Sequence, residues 1–237
     1  MLSKVKSMSL EGLSGYLVDI QIDVSGGLPS FDIVGLPDIR VKEAKERVRS
    51  AIKNSGMEFP SRKIVINLAP ADKRKEGTFF DLPIAIGILL ATEELDKRNI
   101  QDFDITAFLG ELSLDGTVNR INGILPMCIE AINLGIKKMI IPKENFAEAS
   151  IINGLEIIPV ESLDEVIEYL SGNIEINICK CDMNINLENN NLYALDFSEV
   201  KGQETAKRAL EIAAAGRTQL SFTTDHLALE RQCFRKD

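Results

Sequence analysis

The sequence predicts an α/β fold: a mixed β-sheet in a two-layer sandwich with helices. Three observations predict it. Short β-branched runs, such as Ile64-Val65-Ile66, alternate with segments of helical periodicity. Hairpin signals, Asp115-Gly116 foremost, call for antiparallel pairs in the same sheet. An almost wholly apolar run, Leu82 to Ala91, is too short to span a bilayer and reads as a helix buried on all sides.

The elements follow in order. Val5 to Val24 alternates apolar and polar residues, with Leu17, Val18, Ile20, Ile22 and Val24 set among Asp19, Gln21 and Asp23. That pattern predicts a hairpin turning near Glu11-Gly12 or Ser14-Gly15. Phe31 to Leu36 is a further strand. Asp38 to Lys53 is a helix capped by Asp38, with Val41, Ala44, Val48, Ala51 and Ile52 on one face. Glu43 and Arg47, four apart, add ~0.3 kcal/mol on its wet side. The helix is basic, but Asp38, Glu43 and Glu46 offset its cations, so a solvated face is expected rather than a DNA-reading one. Gly56 and Pro60 end it.

Ile64 to Ile66 is a buried strand, ended by Asn67-Leu68-Ala69-Pro70. A charged loop, Ala71 to Gly77, carries Lys73, Arg74 and Lys75. Asp81 is expected to cap the apolar helix, with Pro83 in its first turn. Glu93 to Asp104 is a polar connection. Thr106 to Leu114 is a strand, Thr117 to Ile121 its return, and Gly123 to Leu134 a helix. Lys138 to Ile141 and Leu155 to Ile158 are strands. Ser162-Leu163-Asp164-Glu165 is a capping box opening a helix to Leu170.

Composition bounds the function. A chain of 237 residues holds one good core plus an extension, or two small domains. Its net charge of −9 means that any DNA contact needs a local basic patch working against that field. Cys128, Cys179, Cys181 and Cys233 are few and scattered, which suits a reducing cytoplasm. Cys179-Lys180-Cys181 is spaced too tightly for a zinc knuckle, so no metal site is expected. The first residues carry no secretion signal, and neither export nor a membrane partner is expected.

Several motifs in one order carry a resemblance. They are Gly27-Leu28-Pro29, Ile33-Val34-Gly35-Leu36-Pro37-Asp38, Glu46 to Ile52, Asn54-Ser55-Gly56, Asn67 to Asp72, Lys75-Glu76-Gly77 and Asp81 to Gly87. Together they resemble the amino-terminal domain of the ComM/YifB family of Mg-chelatase-like AAA+ ATPases, over roughly Leu10 to Gly216. Phe108 to Leu112 and Ile140 to Asn145 resemble the proteolytic domain of Lon, which implies a ribosomal-S5-domain-2-like fold. For the intact protein the resemblance implies an ATP- and Mg-dependent, ring-forming motor on DNA, linked to branch migration in natural transformation. A Mg-chelatase-type ATPase subunit is the alternative within the same resemblance.

The Lon likeness also raises a hydrolase reading, which needs a serine nucleophile and a lysine. Here Lys75-Glu76-Gly77 leads to Thr78, Phe79, Phe80 and Asp81, with no serine between Ser61 and Ser113. The position matching the lysine is Leu125. The dyad is absent, so a protease-like fold without protease chemistry is expected.

Residues 1–171 therefore read as the Lon-like, ChlI-type amino-terminal domain. Gly172 to Leu195, rich in asparagine, reads as a linker. Residues 196–216 resemble the opening of an AAA+ module, whose Val200-Lys201-Gly202 would lie beside an adenine. Residues 217–237 contain no glycine and no Gly-Lys-Ser/Thr run, so the chain as given is expected to hold no nucleotide and to lack ATPase activity. This tail is expected to be the product of a shifted reading frame. Read one base early, the codons of Thr224 to Cys233 can encode Gly-Pro-Pro-Gly-Ser-Gly-Lys-Thr-Met, the P-loop due at that place. As the contact for DNA phosphate or a neighbouring subunit's carboxylates, the sequence offers Lys73, Arg74 and Lys75. The competing reading is a solvated loop balanced by Asp72 and Glu76.

Overall fold

The computed structural model describes residues 1–12, 14–96, 100, 102–176 and 202–216. The chain divides into two units, Met1–Asp182 and Met183–Asp237.

The first unit is built on a seven-stranded mixed sheet in the order β3-β4-β2-β1-β5-β8-β9. Strands β1 (Leu2–Glu11) and β2 (Ser14–Ser25) form the expected hairpin, with Leu10 opposite Gly15 and Glu11 opposite Ser14. Strand β4 (Lys63–Ala69) adds antiparallel to β2, and β3 (Ser30–Val34) adds parallel to β4 at the sheet edge. On the other side β5 (Thr106–Phe108), β8 (Lys138–Pro142) and β9 (Glu156–Val160) continue from β1 in parallel. The alternation in β2 sends Val18, Ile20, Ile22 and Val24 to the core and leaves Asp19, Gln21 and Asp23 on the half-exposed face.

Three helices cover the core face. Helix α1 (Ile39–Asn54) buries Val41, Ala44, Val48, Ala51 and Ile52, the face read from its spacing. Asp38 caps it as expected, accepting from the Val41 N–H at 2.8 Å. Helix α2 (Asp81–Ala91) is buried along its whole length. It packs on β1 and β2, so close that Ser3 Oγ donates to the Gly87 carbonyl at 2.6 Å. Helix α5 (Leu163–Leu170) packs into the same core through Leu163, Val166, Ile167 and Leu170. Its N-cap Ser162 accepts from the Glu165 N–H at 3.2 Å, while the Glu165 carboxylate accepts from the Glu161 N–H at 2.7 Å.

The opposite face of the sheet is also covered, around β1 and the parallel strands. Helices α3 (Ile124–Asn133) and α4 (Phe146–Ala149) enclose a second core of Met8, Ala107, Leu109, Met127, Met139 and Ile141. The sandwich is thus mixed-sheet α/β as expected, with a third layer over this part. Alternate residues of β8, Ile140 on one side and Met139 and Ile141 on the other, serve the two cores.

Three local expectations are corrected. The strand expected over Thr106 to Leu114 is broken. After β5 the Leu109 N–H still donates to Ile140 O, but the Gly110 N–H turns to Phe79 O, and Gly110 O accepts from Leu82. The chain then pairs separately as β6 (Glu111–Leu112) with β7 (Val118–Asn119). A Cβ at Gly110 would lie 2.7 Å from a Val118 methyl, so glycine permits this crossing. Second, a 3-10 turn (Lys143–Asn145) and α4 follow Pro142, where no helix was expected. Third, Phe80 holds the N-cap position of α2 with no side-chain cap, and Asp81 lies inside the first turn.

In the second unit, α6 (Glu204–Gly216) forms where an amphipathic helix was expected, and none of its residues is buried. The Asn-rich linker from residue 177 onward and the tail 217–237 lie outside the described residues.

Candidate functional site

The charged loop between β4 and α2 was the sequence's best candidate for an anion contact. Its backbone is stitched to the entry of α1. The Lys75 N–H donates to Leu36 O at 3.1 Å, and the Asp38 N–H donates to Lys75 O at 2.9 Å. Tyr16 Oη donates to Arg74 O at 3.0 Å.

The three cations do not form one patch. Lys75 is fully buried. Its ammonium donates to Lys73 O at 2.7 Å and to Pro70 O, and its pKa is lowered by burial. It holds its own loop and presents no charge to a partner. Lys73 pairs with Glu11 at 2.8 Å and lies 4.5 Å above the Tyr16 ring. Arg74 is exposed and lies 3.2 Å from Glu76. Of the counter-charges read from the sequence, Glu76 engages Arg74, whereas Lys73 turns to Glu11 on β1.

The site the sequence did not offer lies at the start of α2. Arg47 reaches from α1 to Asp81, Nε to Oδ2 at 2.6 Å and Nη2 to Oδ1 at 3.0 Å. The Leu112 N–H adds a third donor at 3.3 Å. Arg47 therefore does not rest on a wet face beside Glu43. Asp81 is fully buried, and burial raises its pKa to about 6 against the opposing pull of Arg47. The same hydrogen bond raises the pKa of Arg47. A signal was present in the sequence: a lone carboxylate leading an all-apolar helix must find a cation if its own cap position is taken.

Thr78, the hydroxyl residue that follows Lys75-Glu76-Gly77, donates from Oγ1 to the Glu111 carboxylate. A carboxylate is thus nearer than the sequence suggested. It is far too weak a base to ionise a threonine hydroxyl by itself, and the lysine that would assist is committed elsewhere, to Pro70 and Lys73. Leu125, at the position matching the Lon lysine, lies half-buried on α3. The Thr78, Glu111, Asp81 and Arg47 group is a buried ion pair with a polar fringe, which fastens α1, α2 and β6 together.

Of the residues expected beside an adenine, Val200 and Lys201 lie outside the described residues. Gly202 is exposed with φ 76°, just before α6. The described residues offer no nest of N–H groups with a lysine in the manner of a P-loop, and the chain contains no Gly-Lys-Ser/Thr run. No helix among the described residues is long and apolar enough to cross a membrane.

Comparison with known proteins places this geometry. A family model described as subunit ChlI of Mg-chelatase matches residues 20–145, which hold the α1–β4–α2 unit and the Arg47–Asp81 pair. A second, magnesium chelatase subunit ChlI, matches residues 196–225 and so runs beyond Gly216, where the resemblance read from the sequence ended. Competence protein ComM of Haemophilus influenzae is 39% identical over 224 residues, covering 93% of this chain and 43% of the relative. Protein YifB of Escherichia coli is 40% identical over 215 residues, covering 91% and 41%. The chain thus spans about two-fifths of the length of these curated relatives. An archaeal Lon protease of Pyrococcus abyssi is 35% identical over 132 residues, 54% of this chain. With a mixed seven-stranded sheet, a Lon-like domain stripped of the Ser-Lys dyad and two ChlI-type matches, the chain belongs to the ComM/YifB family of Mg-chelatase-like proteins.

Proposed function

We propose that this chain is the accessory amino-terminal domain of an ATP-driven, ring-forming AAA+ motor that acts on DNA in the cytoplasm, in branch migration during natural transformation. One observation carries the reading: 39% identity to a competence protein along nearly the whole chain. Thr78 donates to a carboxylate, and the Lys75 ammonium is turned inward to its own loop. The domain then contributes assembly or binding, while ATP and Mg belong to the module that begins near residue 196. A Mg-chelatase role shares the ATPase part of this reading. It is separated by assaying an intact family member for DNA-dependent ATP hydrolysis and branch migration of a synthetic four-way junction. ATP hydrolysis indifferent to DNA would sink the DNA reading.

Under the same proposal, the segment from about Thr224, where the second ChlI match ends, is a shifted reading of the P-loop, and the chain as given does not hydrolyse ATP. The nucleotide sequence tests this directly. One shifted frame over Thr224 to Cys233 should encode the Gly-Pro-Pro-Gly-Ser-Gly-Lys-Thr string. A frame that lacks it, or that stops at once, overturns the proposal.

A further inference from the structure

A groove beside α1 brings aromatic rings and cations together. Its floor includes Phe31 of β3 and Phe59 of the segment before β4, with ring centroids 6.5 Å apart and planes 24° from parallel. Both rings are half-buried, packed against the main core while also lining the groove. Its walls carry Lys45, Arg49 and Lys53 from α1 and Arg62 from the approach to β4. Four-residue spacing sets the three α1 cations along one flank, ~6 Å apart. The Arg49 guanidinium stands 5.9 Å from the Phe59 centroid.

Among the described residues, none of these four cations is in an ion pair. The ion pairs of the described residues engage Lys4, Arg47, Lys73, Arg74, Lys138, Lys143, Lys207 and Arg208, and none of the four groove cations. Glu46 and Glu58, their nearest acidic neighbours in sequence, pair with none of them. On a chain of net charge −9, these four cations around two rings make a local basic cluster, with Arg62 shared by an adjoining cavity that Glu58, Glu93 and Glu94 also line. The sequence reading treated the α1 cations as offset by Asp38, Glu43 and Glu46. The structure sends Arg47 inward to Asp81, gives Asp38 to the helix cap, and leaves this flank positive.

We propose that this groove binds a single-stranded nucleic acid, its bases against Phe31 and Phe59 and its phosphates along Lys45, Arg49, Lys53 and Arg62. Aromatic faces accept any base, and spaced cations follow a backbone, which is the chemistry of strand binding without sequence preference. A duplex hides its bases from the rings and uses the cations alone. This deepens the proposed function by giving the amino-terminal domain a strand-binding site of its own. It also differs from the Lys73-Arg74-Lys75 loop in both place and chemistry.

The test is fluorescence anisotropy of the 237-residue chain with a labelled oligo-dT, across a range of salt. The wild-type chain should bind the single strand at least tenfold tighter than a blunt duplex of equal length. Arg49→Ala/Lys53→Ala/Arg62→Ala should weaken binding more than tenfold and reduce the log–log salt slope by about 2. Phe59→Leu, which keeps apolar volume and so the fold, should weaken it about tenfold with the slope unchanged. Circular dichroism melts of each variant confirm folding. The proposal is overturned if the wild type does not bind, if the duplex binds as well, or if the folded triple variant keeps its affinity and slope. Loss of binding in Lys73→Ala/Arg74→Ala alone also overturns it, since the loop would then be the site. An intact family member that hydrolyses ATP in response to DNA, while this chain fails to bind oligo-dT, removes the groove and leaves the motor reading standing.

Discussion

Arg47 and Asp81 set what single residues can be asked to do. Two hydrogen bonds to the guanidinium and one from Leu112 satisfy a carboxylate that water does not reach. Removing the cation alone leaves a buried charge without compensation, which costs about 3–5 kcal/mol. Arg47→Met should therefore lower the urea midpoint strongly at pH 7. The pH dependence has a definite sign. Burial holds the folded pKa of Asp81 at about 6, above its ordinary 3.8, so the native state takes up the proton first. Its contribution to stability thus falls as pH rises from about 4 to about 6. In Arg47→Met the folded pKa rises further, so the gap to wild type should be wider at pH 7 than at pH 5. Equal gaps at both pH values would contradict the ionised pair. Arg47→Met/Asp81→Leu should recover most of the loss, because the isosteric apolar pair leaves no orphan charge. The need of Asp81 for a cation was legible in the sequence, but its partner was not. Asp81 and Pro83 there gave a complete N-cap account, and Glu43 gave Arg47 a local partner. Only the tertiary approach of α1 to α2 shows that both local accounts lose.

At the scale of elements, periodicity was legible and crossings were not. The buried face of α1, the wholly buried α2 and the β1–β2 hairpin all follow from spacing, since each repeats over at least ten residues. The break at Gly110 depends on hydrogen bonds to Phe79 and Ile140, thirty residues away in either direction, and carries no local signal. The four residues of α4 are too few for any period. Gly87 marks where α2 meets the sheet. A Cβ there would lie 2.4 Å from Ile22 Cδ1 and 3.3 Å from Val5 Cγ2. Gly87→Ala gains up to ~1 kcal/mol of helix propensity, but overpacking costs about 1–3 kcal/mol. The net effect expected is a lower melting temperature. Ile22→Val removes the Cδ1 atom in the way, so adding it to Gly87→Ala should raise the melting temperature above that of Gly87→Ala alone. If the second substitution only deepens the loss, α2 does not approach β2 at this glycine.

The whole molecule is a core with an extension, and its boundary can be located physically. Among the described residues, helix α5 is the last element with buried side chains in the core, ending with Leu170, and Ile176 still packs against it. Beyond it Gly172 to Leu195 is rich in asparagine, and α6 buries none of its own side chains. A segment that buries little apolar surface opens at little free-energy expense, and a protease cuts what opens. Limited proteolysis with a protease that accepts Asn, Leu and acidic sites should therefore cut first between residues 172 and 201. It should leave a resistant fragment ending shortly after Leu170, identified by mass. That fragment should melt within a few degrees of the full chain, because both cores lie within residues 1–170. A first cut inside Leu82 to Ala91 would contradict the buried central helix on which the fold rests. A fragment that unfolds once the extension is removed would mean that residues 172–237 contribute packing the core needs. The position of the first cut and the melting of its product thus test the domain boundary separately from any nucleic-acid or nucleotide activity.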